Sequence, residues 1–120
     1  MSKLFSLIPV PGAMQDKASV AALKERLDWG EPALTIIDVR ERNTFNASHI
    51  MGAIAMPLSE LVACVRASLE IDRDIYVYGQ TDEQTAKAAS QLRAAGYQHI
   101  AELMGGLAAW KRAEYPIEAL

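Results

Sequence analysis

A chain of 120 residues fits one domain, and folding at that length takes roughly two-thirds of the unfolded surface out of water. Its apolar fraction of 51% is ample for a core and excludes a disordered class, while the net charge of −3 and the absence of any basic run argue against nucleic acid as a partner. A single cysteine, Cys64, rules out an internal disulfide and a Cys-x-x-Cys site, and the two histidines, His49 and His99, have no cysteine at ligand spacing, so neither a metal nor a cofactor is expected.

Residues 1–15 carry one lysine followed by an apolar stretch that Pro9 and Pro11 interrupt. The stretch resembles a short leader but is too short to span a bilayer. It reads as an extended strap over a domain at 16–120, with a cytoplasmic setting and no membrane span. Ser19 then caps a helix whose apolar stripe is Val20, Leu23 and Leu27, stopped by Gly30 and Pro32. Residues 33–39 are short, apolar and β-branched, as in a buried parallel strand. A polar stretch from Arg40 to Ser48 precedes a short strand near residues 53–55.

Pro57 and Ser59 open a helix with Leu61, Cys64, Val65 and Ser68 on its inward face. Residues 75–78 form a second strand. A helix over 83–95 turns Ala88, Ala89, Leu92 and Ala95 inward and ends at Gly96. Residues 100–103 make another strand, and Gly105-Gly106 leads into a last helix ending near residues 110–113. Strands alternating with helices predict an α/β fold.

Three stretches together resemble the rhodanese family. They are Asp38-Val-Arg-Glu41 with Phe45, residues 48–53 and residues 56–58; the strand at 76–78 with its following loop and helix; and residues 103–110 followed by 115–118. All three keep the family's order and spacing from Ser19 to Glu118. The resemblance implies about five mainly parallel strands with helices on both faces. Most of the motif has a scaffold reading of its own. Asp38, Arg40 and Glu41 follow a buried strand, His49 is expected to be a hydrogen-bonded packing residue, Gly52, Gly105 and Gly106 allow tight turns, and Trp110 plugs the core.

Ligands of parallel sheets bind beyond the carboxyl ends of the strands, here at the loop after Tyr78. The resemblance implies that active members carry there a nucleophilic cysteine, an arginine, and a serine or threonine. This chain has Gly79, Gln80, Thr81, Asp82, Glu83, Gln84 and Thr85 instead. Gly79 takes the cysteine's place and Gln84 the arginine's, and a glycine cannot carry covalent sulfur transfer. Thr81 to Gln84 also fits a capping box, with Thr81 accepting from the helix and Gln84 reaching back to Thr81.

The expectation is a catalytically inactive rhodanese-homology domain, acting as a binding or regulatory module for an unidentified protein or a small ligand seated over Gly79, with a homodimer left open. The rival is a sulfurtransferase using an unorthodox nucleophile. Cys64, the only thiol, has no Lys, Arg or His one helical turn away to activate it.

Overall fold

The computed structural model describes residues 12–30 and 33–120. Residues 1–11 of the expected strap, and Pro32, lie outside them. Among the described residues five helices and seven strands follow in the order β1 (Lys17–Ala18), α1 (Val20–Trp29), β2 (Leu34–Asp38), α2 (Arg42–Ala47), β3 (His49–Ile50), β4 (Ile54–Ala55), α3 (Leu61–Ser68, after a 3-10 turn at Leu58–Glu60), β5 (Asp74–Tyr78), α4 (Asp82–Ala94), β6 (Ile100–Leu103), α5 (Gly106–Arg112) and β7 (Ile117–Glu118). The main sheet runs β1-β6-β5-β2-β4 with every pairing parallel. β3 and β7 form a separate antiparallel pair.

Helices cover both faces of the sheet, so β2 has all five residues buried and β5 has four. One core layer joins Leu23 of α1, Phe45 of α2 and Trp110 of α5 to Leu34, Ile36, Tyr76, Tyr78 and Leu103 of the sheet. The other joins Leu61 and Val65 of α3 and Ala88, Ala89 and Leu92 of α4 to Ile37, Ile75, Val77 and Ile100. Among the described residues no helix is long and apolar enough to cross a membrane.

The caps follow the sequence signals. Ser19 Oγ accepts from Ala22 N at 3.1 Å, and Gly30 closes α1 in the left-handed region. Three readings need correction. The polar stretch 40–48 contains helix α2, which buries only Phe45 and so offers little periodicity. The helix expected from Pro57 begins as a 3-10 turn. Ser68 is exposed, its hydroxyl donating to Cys64 O at 2.7 Å, while Leu61 and Val65 carry the buried face and Cys64 is half-buried. Met14, within the expected strap, packs against the first core layer.

Gly105 and Gly106 bring the start of α5 against the end of β5. Gly106 has φ +50°, and a Cβ there would fall 3.2 Å from the Gly79 carbonyl oxygen. Conformation and space therefore both favour glycine. Gly106→Ala should lower stability by about 1–3 kcal/mol, read as an earlier urea midpoint with an unchanged slope.

Candidate functional site

The carboxyl ends of β2, β5 and β6 present three loops side by side. The first is built on a buried ion pair. Asp38, fully buried, receives Arg40 Nε at 2.9 and 3.1 Å, Arg40 Nη2 at 2.7 Å and the Arg40 backbone N–H at 3.0 Å. Arg40 Nη2 also donates to Ser48 O at 2.7 Å, tying this turn to the end of α2. Burial works against the guanidinium charge, but Asp38 more than offsets it and holds Arg40 above its usual range. Tyr78 lies beneath, its ring centroid 5.6 Å from Arg40 Cζ, and its hydroxyl accepts from Ile50 N at 3.1 Å. Burial first and Asp38 second push the Tyr78 hydroxyl well above the ordinary tyrosine range. Glu41 points to solvent and gives α2 no side-chain cap.

The loop after β5 is the second. Three of its backbone donors are taken by its own side chains. Gly79 N donates to Thr85 Oγ1 at 2.8 Å, Gln80 N to Gln84 Oε1 at 2.6 Å, and Gln84 N to Thr81 Oγ1 at 3.1 Å. Thr85 Oγ1 in turn donates to Thr81 O at 3.1 Å. The expected capping box is thus real on the threonine side, but Gln84 reaches back to Gln80, one residue beyond Thr81. The helix starts at Asp82, and Asp82 and Glu83 in its first turn suit the positive end of the dipole.

Gly79 is the point where this closure is tightest. A Cβ there would fall 2.6 Å from Gln84 Oε1 and 3.0 Å from both its Cβ and Cγ. The space a side chain at 79 would use is held by Gln84.

The third loop joins the second through Asp82 Oδ1, which accepts from Gly105 N at 2.9 Å. Neither the sequence pattern nor the capping box pointed to that link. Three further motif residues lie away from the loop. His49 is buried, stacks on Phe45 with ring centroids 3.7 Å apart, and bonds through Nδ1 to Phe45 O at 2.7 Å. Trp110 is buried and donates from Nε1 to Pro116 O at 2.7 Å, while Gly52 makes a turn with φ +88° whose N–H donates to Glu118 Oε1 at 2.9 Å.

Two cavities flank the loop. One of about 320 Å³ lies between α2, the β5–α4 loop and α5, and includes Arg40, Gly79 and Lys111 in its wall. The other, about 580 Å³, runs past Gln84 between α4 and the 3-10 turn. Cys64 lines neither. Among the described residues no group of three or more His, Cys, Asp or Glu could hold a metal ion.

Residues 19–113 match the family model described as a rhodanese-like domain. A crystal structure of the Alr3790 protein from Anabaena sp. is 56% identical, with 86% of this chain and 92% of that one covered, at a TM-score of 0.84. The uncharacterized protein YqhL of Bacillus subtilis is 33% identical over 96 residues, 80% of this chain and 75% of that protein. A protein named sulfurtransferase from Allochromatium vinosum is 27% identical over 106 residues, 88% of this chain and 97% of that one. The next three curated relatives after YqhL are longer, and the chain spans about half of each.

The Tyr78 geometry has a pH signature. Its folded pKa lies above the ordinary 10.0, so the stabilisation is complete below about pH 10 and is lost as the pH rises further. Tyr78→Phe leaves Ile50 N without a partner and should cost about 1–3 kcal/mol at pH 7. Alkaline denaturation followed by circular dichroism should fall more steeply above pH 10 in the parent than in this variant.

Proposed function

As the chain belongs to the rhodanese-like domain family, we propose that it acts as a binding or regulatory module and does not transfer sulfur through the loop after β5. Gly79 takes the position that the family resemblance gives to the nucleophilic cysteine, and a hydrogen cannot attack a sulfur donor. The observation that carries the reading is the placement of Gln84. Its Oε1 accepts from Gln80 N and fills the space beside Gly79, where a thiol and its outer sulfur would need room.

The electrostatics support the same reading. Sulfur transfer of this kind needs backbone N–H groups and positive charge turned toward a thiolate or an anionic donor. In this loop Gly79 N and Gln80 N already have side-chain oxygen partners, and Asp82 and Glu83 add negative charge. The compact fold and the cavities on either side of the loop remain available to a ligand or partner.

The rival reading, sulfur transfer through another thiol, draws on the name of the Allochromatium vinosum relative. Cys64 is the only thiol. It is half-buried on α3, packed against the core layer of Leu61, Val65 and Val77. Such a cysteine behaves as a small hydrophobe.

Thiosulfate-to-cyanide transfer by the purified chain tests the proposal, and the parent should be silent. Gly79→Cys alone should stay weak, because Gln84 occupies the space its side chain needs. Gly79→Cys combined with Gln84→Arg should gain activity several-fold over the single variant. Turnover by the parent that disappears in Cys64→Ala would establish the rival.

A further inference from the structure

Beside the loop stands a strong side-chain donor without a protein acceptor among the described residues. Arg40 commits Nε and Nη2 to Asp38 and Ser48, whereas Nη1 has no hydrogen-bond partner among the described residues. The residue is 5% exposed, so this is a buried cation and not a surface arginine. Among the described residues the one buried side-chain polar atom both sealed from solvent and unbonded is Asn46 Oδ1, so Arg40 Nη1 is not a sealed atom. Arg40 is part of the wall of the 320 Å³ cavity.

The rest of that wall is selective. Lys111 contributes a second cation that makes no ion pair among the described residues. Thr44 and Ser48 add hydroxyl groups, Leu107 and Ala108 add apolar surface, and no acidic residue lines the cavity. The neighbouring 580 Å³ groove sets Glu41 and Glu60 against Arg42 and Lys87, so it has no net preference for an anion. Gly79 and Gln80 also line the smaller cavity.

We propose that this cavity is a binding site for a small monocarboxylate with a short apolar body, held by Arg40 Nη1 and Lys111. The assignment rests on the binding-module reading above and names its ligand class. A carboxylate can accept from the Nη1 protons and from an ammonium group together. Gly79 N, Gln80 N and Gly105 N are held by Thr85, Gln84 and Asp82 and are not offered to a ligand, so the polar end of the cavity rests on its side chains, while Leu107 and Ala108 favour an organic anion over an inorganic one. The volume stands at the small end of ligand pockets, and Leu107 and Ala108 suit an alkyl chain or a single ring.

Titration of the full chain with sodium benzoate and sodium butyrate, followed in ¹⁵N-edited spectra, tests this. Saturable shifts should cluster at Ser48, Gly79, Gln80, Leu107, Ala108 and Lys111. Benzamide at the same concentration should leave those signals in place. Lys111→Met should weaken benzoate binding about tenfold, the worth of one charge-assisted hydrogen bond. Ala108→Trp, at an exposed position on the cavity wall, should abolish binding while signals elsewhere stay put. Absence of saturable shifts, equal binding of benzamide, or an unchanged affinity in Lys111→Met would each overturn the assignment. Shifts of the same signals by sodium sulfate at matched ionic strength would also overturn it, in favour of an oxyanion site. A sulfur-transfer assay positive in the parent would refute the module reading separately, whatever the titration gives.

Discussion

Asp38 and Arg40 are both buried at the carboxyl end of β2, and neither charge could be there without the other. Removing two such ions from water costs several kcal/mol each, and the loss is offset only when geometry and the remaining hydrogen bonds are good. Here the contact is two-pronged, Ser48 O takes a further guanidinium proton, and the Tyr78 ring covers the face. The pair is therefore less a source of net stability than a fastening. It fixes the β2 turn to the end of α2, and through Tyr78 to Ile50 and β5. The cavity beside Gly79 has its shape because these elements cannot shift independently.

Around that fastening, polar groups that could have served a ligand are divided into two sets. The backbone N–H groups of Gly79, Gln80, Gln84 and Gly105 are held by Thr85, Gln84, Thr81 and Asp82 respectively. The side-chain cations, Arg40 and Lys111, stay open on one side. Gln84 occupies the space beside Gly79 as well as accepting a hydrogen bond from Gln80 N. On the proposed reading, recognition rests on the cavity wall and not on the loop backbone.

Much of this was legible in the sequence where one local force dominates. The apolar runs of β2 and β5, the caps at Ser19 and Thr81, and the inward stripe of Ala88, Ala89 and Leu92 follow from burial and capping alone. Helix α2 was hidden because a six-residue helix with one buried side chain leaves no periodic signal. The two-residue strands β1, β3 and β7 exist through pairing with distant partners, and propensity cannot announce them. At the site, the capping pattern located the loop's self-satisfaction but misplaced the Gln84 bond by one residue, since side-chain reach depends on the loop path. The Asp82–Gly105 bond and the shared cavity of Arg40 and Lys111 join segments far apart in sequence, so only the fold discloses them.

The most direct measurement is a high-resolution crystal structure of the full chain grown from concentrated ammonium sulfate. Gln84 Oε1 should still lie on Gln80 N, with no ordered anion within hydrogen-bond distance of the N–H groups of residues 80–85. A sulfate seated against those N–H groups, with Gln84 turned aside, would contradict this.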